Sequence, residues 1–309
     1  MRIFKNFEDA GDIRNAVVTT GSFDGVHMGH KVILQHLRNH ADQIGGETVL
    51  ITFNPHPRKV LYPESAGKDL YLISSQREKI HLLEKTGLDN LIIVDFTMEF
   101  SKITSIGFVK NILLSKLHAR KIIVGFNHHF GHNREGDYVA LRKLGGENGF
   151  EVEEIPEQDI QNESVSSTKI RKSLLDGNIQ KANAYLDHFY IVMGPARSSN
   201  ILLAEIGFPS FTIAIEEDCK LVPPNGVYAV TVNGGFEPRK GMCFIRKNQD
   251  SPIDTLVEVH LTESHESLDN KVLSLYFHKR LREEKTLISL EELRQQLIID
   301  KAQIDELIF

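Results

Sequence analysis

The sequence predicts two architectures in succession: a doubly wound parallel α/β domain, then a small antiparallel β-barrel with a C-terminal helix. Three observations carry that expectation. Up to about residue 186, short apolar runs alternate with segments of helical period across brief loops, the pattern of a parallel sheet covered on both faces. Beyond it, strands follow one another closely with glycine and proline turns, the pattern of a small barrel. The chain has 309 residues, enough for two cores, with 41% hydrophobic and 25% charged residues, an ordinary globular balance. The domains are therefore expected at 1–186 and 187–309.

Charge and cysteine usage exclude several classes. A net charge of −6 does not suit a protein that holds nucleic acid through bulk charge. Cys219 and Cys243 are the two cysteines, and they have the spacing neither of a zinc ligand set nor of a redox pair. The opening Met1-Arg2-Ile3-Phe4-Lys5-Asn6 lacks the apolar run of a signal peptide. No stretch approaches the roughly 20 apolar residues of a membrane span. A cytoplasmic, disulfide-free protein without nucleic-acid or membrane partners is expected, and the sequence carries no mark of an oligomeric state.

Taken in order, Val17-Val18-Thr19-Thr20 reads as a buried strand that turns through glycines into a helix. Ile33, Leu37, Ala41 and Ile44 recur at helical spacing, and Gly45-Gly46 ends that helix. Thr48 to Phe53 is an apolar run suited to a buried parallel strand, ending in Asn54-Pro55-His56-Pro57-Arg58, where two prolines predict a loop. Ser75 and Glu78 form a capping box for a helix through Ile80 and Leu83, with Gly87 beyond its end. Leu91 to Phe96, Lys121 to Gly125 and Glu151 to Ile155 supply further strands. Helices are predicted around Phe108, Ile112 and Leu113, from Tyr138 to Leu144, before Gly177, and from Ile179 to Leu186.

The chemistry gathers at the ends of these strands. Gly21-Ser22-Phe23-Asp24-Gly25-Val26-His27-Met28-Gly29-His30 leads from a strand into a helix start, where unpaired N–H groups and a partial positive charge favour phosphate. Imidazoles placed there are donors to charge that moves onto a phosphoryl oxygen, and Gly29 lets backbone approach a ligand. A bare H-x-G-H equally describes a surface turn before an amphipathic helix. A proline loop with an exposed histidine accounts as well for Asn54-Pro55-His56-Pro57. The loop from Gly125 to Gly136 clusters histidines without a carboxylate or thiol at metal spacing, which favours a bed for a flat ring and a phosphate. Val165-Ser166-Ser167-Thr168-Lys169-Ile170-Arg171 opens a helix with hydroxyls that serve as N-caps, and places Arg171 one turn on, beside Ser167 and Thr168. An arginine fork beside hydroxyls suits a triphosphate.

Together these segments resemble, in order, the G-x-F-D-G-V-H-x-G-H, T-F-x-P-H-P, V-G-x-[DN]-x-x-F-G-x-x-R-x-G and I-S-S-T-x-I-R motifs of the bacterial bifunctional riboflavin kinase/FAD synthetases. The resemblance implies a Rossmann-like nucleotidylyltransferase domain that joins FMN to AMP from Mg-ATP and releases pyrophosphate, with Mg2+, ATP and FMN or riboflavin as the small-molecule partners. It implies that His27 and His30 contact the α- and β-phosphates in the transition state, and that Ser167, Thr168 and Arg171 hold the departing pyrophosphate. Gly21, Phe23, Asp24, Gly29, Asn127 and Ser166 are the remaining nucleotide contacts implied. Asn54, His56, Pro57, Phe130 and Arg134 are the implied flavin contacts.

In the second half, strands are predicted at 189–193, 211–215, 226–232, 255–261 and 273–277. A closing helix is predicted after the capping box of Ser289 and Glu292, through Leu290, Leu293 and Leu297. Gly207-Phe208-Pro209, Pro224 to Val230, Val257-Glu258-Val259-His260 and Leu281 to Lys285 resemble the family's riboflavin kinase domain. The resemblance implies that Glu258 is the base for the riboflavin hydroxyl and that Ser210 serves Mg-nucleotide binding. A carboxylate alternating outward from a strand is the plain alternative for Glu258. The family's glycine loop falls on Ala196 to Ile206, which has no glycine, and its N-I-G turn falls on Phe244-Ile245-Arg246. Without glycines a phosphate cradle loses its close amide approach. The first expectation is a working FMN adenylyltransferase with a weakened or lost riboflavin kinase. The alternatives are a fully bifunctional enzyme, or a C-terminal domain reduced to flavin binding or interaction.

Overall fold

Residues with apolar β-branched side chains are prominent in the strands. In the computed structural model, which describes residues 1–126, 128–157, 159–160, 163–198, 201–247, 255–261, 268–285 and 289–308, they form two separate sheet systems. The chain divides into two compact units, 1–70 with 79–166, and 71–78 with 167–309.

The first unit is a six-stranded parallel sheet in the order β1-β4-β3-β2-β5-β6. Its strands are β1 (Arg2–Phe4), β2 (Val17–Thr20), β3 (Thr48–Asn54), β4 (Asn90–Asp95), β5 (Lys121–Gly125) and β6 (Glu151–Ile155). Helices α1 (Met28–Ile44), α2 (Pro57–Leu61), α3 (Gln76–Glu84), α4 (Ser105–Gly107) and α5 (Tyr138–Asn148) connect them. Val17, Val18, Val49, Leu50, Ile51, Leu91 and Ile92 are fully buried, as expected for strands covered on both faces. The strand order reverses between β2 and β5, so the crevice beyond their carboxyl ends is where a doubly wound sheet takes its ligand.

Two local expectations are corrected. The predicted proline loop is a short helix from Pro57: proline is preorganised for the first helical position, and the His56 ring accepts the Arg58 N–H at 3.2 Å. The helix around Phe108 is a π-helical stretch, Phe108–Leu114, that follows α4 and buries Phe108, Val109, Ile112 and Leu113. The segment between β6 and the second unit also carries a small hairpin, β7 (Asp159–Ile160) and β8 (Glu163–Ser164).

The second unit closes β9 (Tyr190–Ser198), β10 (Ser210–Ile213), β11 (Gly226–Asn233), β12 (Arg239–Lys247), β13 (Thr255–Leu261) and β14 (Val272–Arg282) into an antiparallel barrel, in the order β10-β13-β12-β11-β14-β9. Helices α6 (Ser167–Leu175), α7 (Ile179–Leu186), α8 (Ile201–Glu205) and α9 (Leu290–Leu307) belong to the same unit. Tyr190, Tyr228 and Phe277 are fully buried and touch edge to face, filling the barrel. Met242, Val227 and Ala229 pack on Leu297 and Ile304 of α9. Arg282 holds that helix with a two-pronged contact to buried Asp300, at 3.0 and 2.8 Å.

Two more expectations are corrected here. Phe244-Ile245-Arg246 is not a turn but the middle of β12, where apolar and aromatic residues pair on both sides with β11 and β13. The stretch 196–206 is not a loop throughout: Ala196 to Ser198 complete β9, and Ile201–Glu205 coil into α8 because Leu-Leu-Ala-Glu favours helix. Ser199 and Asn200 lie outside the described residues.

Segment 71–78 belongs to the barrel unit through a buried ion pair. Lys220 Nζ lies 2.6 Å from Glu78 Oε2, both side chains 1% exposed. The ammonium also donates to the Ile73 and Ile191 carbonyls, at 2.6 and 2.9 Å. Glu78 accepts from the Ser75 and Met193 amides, each at 2.8 Å, and Glu78 N donates to Ser75 Oγ, completing the capping box. Lys220→Met leaves that carboxylate buried without its cation. It is expected to lower stability by about 3–5 kcal/mol; a urea titration followed by circular dichroism checks this, and an unchanged midpoint would refute it.

Candidate active site

The turn from β2 into α1 is held in an unusual backbone shape. Phe23, Gly25 and Val26 take φ of 48°, 82° and 43°, and two of the three carry side chains that disfavour this region. Both side chains are buried. Gly21 N donates to Ile51 O at 3.0 Å, and Thr52 Oγ1 donates to Ser22 O at 3.1 Å, so β3 secures the turn beside it. Asp24 is buried in the same turn.

This shape delivers a stack of three rings. Phe23 and His30 lie 4.3 Å apart, His30 and His27 3.7 Å apart, nearly parallel in both cases. His27 occupies the cap position of α1 with extended backbone, so the helix's first N–H groups open beside its ring. A Cβ on Gly29 would meet His27 Cε1 at 3.3 Å, which explains the glycine between the histidines. Burial, with lesser contributions from His27 and Lys79, holds His30 well below the usual imidazole range. His30 Nδ1 has no hydrogen-bond partner among the described residues. His30 is therefore neutral at neutral pH, with Nδ1 open to donate or to accept according to its tautomer.

Beyond β3 and β5 lies an apolar wall. Phe53, Phe96, Phe100, Phe108 and Phe130 follow one another at centroid distances of 5.4, 5.7, 6.4 and 6.2 Å, and His128 stacks on Phe130 at 6.0 Å. Phe53, Phe100 and Phe130 are only partly buried. His56 accepts at Nδ1, which assigns its proton to Nε2; Asn54 ends β3, and Pro57 begins α2. In the loop after β5, Phe130 and Gly136 exchange backbone hydrogen bonds of 3.0 Å, and Arg134 is exposed. Gly131, at φ 77°, is pressed against Ser105: a Cβ there would come within 2.5 Å of Ser105 N. That glycine answers to packing, where the sequence reading had given the loop's glycines to a ligand. Asn127 lies outside the described residues. The sequence reading places Phe96 at a strand end and Phe108 in a helix and does not single out Phe100; the recurrence of phenylalanine at 96, 100 and 108 is the signal that relates them.

The remaining predicted residues belong elsewhere. Ser166 ends the first unit, while Ser167, Thr168 and Arg171 open α6 in the second. Arg171 Nε donates to Tyr71 O at 2.8 Å, so one edge of its fork is engaged. Across β10, β13 and β12, Thr212, Glu258 and Phe244 pair in register, and Ser210 pairs with His260. This is the outer face of the barrel, yet Glu258 is 1% exposed, so it is not a plain solvent-facing carboxylate. Ser210 Oγ is buried with no hydrogen-bond partner among the described residues, an oxygen donor that fits Mg2+. His36, His40 and Glu153 also come together, but Lys121 Nζ already lies 2.9 Å from both His40 Nε2 and Glu153 Oε2 and takes the place of a cation.

A doubly wound sheet with paired histidines at its first helix start, and a six-stranded barrel carrying a buried glutamate, define a two-part enzyme of nucleotide chemistry. A family model described as FAD synthetase matches residues 9–169, and one described as riboflavin kinase matches residues 186–308. Bifunctional riboflavin kinase/FMN adenylyltransferases from Listeria monocytogenes and Escherichia coli K12 are each 31% identical to the chain. They align over 93% and 92% of it and 90% of their own lengths. The relative from Buchnera aphidicola of Acyrthosiphon pisum is 30% identical over 97% of this chain and 96% of its own. The chain belongs to the bifunctional riboflavin kinase/FMN adenylyltransferase family. A crystal structure described as a macrolide-efflux protein from Streptococcus pneumoniae shares its fold, with a TM-score of 0.87 and 25% identity over 97% of both chains. Among the described residues no helix is long and apolar enough to cross a membrane.

His128 provides a pH handle on the first unit. Burial, then His129 and Arg134, pulls it from 6.5 to about 4. The unfolded chain therefore takes up this proton before the folded one, and stability falls as pH drops from 6.5 toward 4. Urea midpoints measured across that range are expected to decline, and less steeply in His128→Gln; identical slopes would remove the assignment.

Proposed function

We propose that the first half of the chain transfers AMP from Mg-ATP to FMN. An FMN phosphate oxygen bonds to the α-phosphorus, the bond from that phosphorus to the bridging oxygen breaks, and pyrophosphate leaves. The observation that carries this reading is the Phe23–His30–His27 stack at the start of α1, beside the crevice where the strand order reverses. Neutral imidazoles there donate to phosphate oxygens as charge grows on them, and the helix dipole favours the same charge. No side-chain nucleophile is required, since alignment and charge stabilisation suffice.

In this reading His27 and His30 contact the α- and β-phosphates, and Ser167, Thr168 and Arg171 hold the leaving pyrophosphate. Gly21, Phe23, Asp24, Gly29, Asn127 and Ser166 serve the nucleotide. The half-buried rings of Phe53, Phe100 and Phe130 support a flat flavin beside Asn54, His56, Pro57 and Arg134. Magnesium would enter with ATP and offset phosphate charge; in the barrel, Ser210 is the oxygen that would serve Mg-nucleotide binding. The division of labour proposed is 1–186 for adenylyl transfer and 187–309 for the kinase-like barrel, in a cytoplasmic enzyme that handles small molecules.

The riboflavin kinase reaction is read as weakened or lost, because helix α8 occupies sequence where an amide cradle is needed. A second reading, full bifunctionality, is favoured by the riboflavin kinase match over 186–308. Chromatography of products from Mg-ATP with FMN in one tube and riboflavin in another separates the two. FAD from FMN alone supports the first, FMN or FAD from riboflavin supports the second, and no product in either tube rejects both. His30→Ala is expected to lower kcat/KM for FAD formation about 10²–10³-fold with an unchanged circular dichroism spectrum; a folded variant with wild-type rates would rule out the assigned role.

A further inference from the structure

We propose that Arg246 restrains the phosphoryl-transfer site of the barrel by holding the Glu258 carboxylate, so that the carboxylate does not accept the proton of a flavin alcohol. This rests on the reading of Glu258 as the kinase base. Glu258 sits on β13 opposite Phe244 of β12, and Arg246, two residues further along β12, reaches diagonally back to it across the same face. Arg246 Nη2 lies 2.8 Å from Glu258 Oε2, with the carboxylate side chain 2% exposed and the arginine side chain 43% exposed. The contact differs from the buried pair of Arg282 with Asp300 in the same unit. Arg282 engages Asp300 through both Nε and Nη2, whereas Arg246 Nε is buried without a hydrogen-bond partner among the described residues. Ser210 Oγ, diagonal to Glu258 on β10, is likewise buried without one. Two unmatched polar atoms flanking a covered carboxylate describe a polar site that its own residues leave incomplete.

The step at issue is balanced as follows. The alcohol oxygen attacks the γ-phosphorus of ATP, the bond from that phosphorus to the β-bridging oxygen breaks, ADP leaves, and the alcohol proton passes to the Glu258 carboxylate. The guanidinium fills one acceptor position of Glu258 Oε2 and fixes the carboxylate's orientation, so its remaining lone pairs are not free to turn toward the alcohol O–H. Arg246 thus acts through Glu258 and not on the substrate, a restraining role that a neutral side chain of similar length cannot fill.

The test uses the full chain with riboflavin and Mg-ATP, measuring FMN plus FAD formed from riboflavin. Arg246→Met is expected to raise that rate at least roughly tenfold, part of the 10²–10⁴ that a general base contributes. Arg246→Lys keeps a cation in reach and is expected to stay near the wild-type rate. The gain should vanish in Arg246→Met/Glu258→Gln. Should Arg246→Met not fold, Arg246→Ala, which leaves no donor beside the carboxylate, carries the same expectation. A folded neutral variant at or below the wild-type rate overturns the proposal, and so does a gain that survives Glu258→Gln. Adenylyl transfer to supplied FMN, measured on the same samples, is expected to be unchanged; its absence in the wild type would count against the function proposed for the first domain and not against this restraint.

Discussion

The first unit depends on one backbone constraint, the passage of Phe23 and Val26 through a region that side chains disfavour. Each such residue costs about 1–3 kcal/mol and persists only where its surroundings compel it. Here the compulsion is visible. Both side chains are buried, worth about 1.5–3 kcal/mol each, and β3 supplies hydrogen bonds to Gly21 and Ser22. What the strained turn achieves is direction. It sends the chain into α1 so that the helix's free N–H groups and both imidazoles open at the switch point of the sheet, with Phe23 itself the outer ring of the stack.

That arrangement explains why the histidines are stacked and not solvated. Burial disfavours a proton on His30, and His27 stacked 3.7 Å away adds to the effect, so His30 is held neutral. A neutral ring retains an N–H to donate and imposes no fixed charge on the free enzyme. In the proposed reaction, phosphate would meet donors already in position, with little reorganisation left for the reaction itself.

Much of this was legible in the sequence, for identifiable reasons. Strands such as Thr48 to Phe53 and the capping boxes at Ser75 and Ser289 depend on neighbours within a few residues, and both serine caps form as read. The histidine pair was legible because its spacing, its glycine and its strand-to-helix setting are all local. Strand β12 was missed although it pairs with its neighbours in sequence, β11 and β13, because the family's turn was laid on Phe244-Ile245-Arg246. Other features depend on distant partners. The engagement of Lys220 with Glu78 spans more than a hundred residues, and no spacing rule relates them. The aromatic wall was read piecemeal because its rings come from a strand end, two loops and a π-helical turn.

The packing of the barrel does not depend on the chemistry of its outer face. Its inward face, filled by Tyr190, Tyr228 and Phe277, holds the strands closed whatever the outward face carries. Strand alternation sends Ser210, Glu258 and Arg246 to the other side, so changes there leave the inner packing untouched. The connection after β9 has the same freedom. Once its glycines are absent it need only form a short helix and seat Leu203 beside Phe208, and the barrel still closes through β10. In the first unit no such separation exists, because Phe23, Val26 and Thr52 are core residues and site supports at once. Substitution there disturbs the packing and the shape of the turn together, whereas on the outer face of the barrel the two are separable.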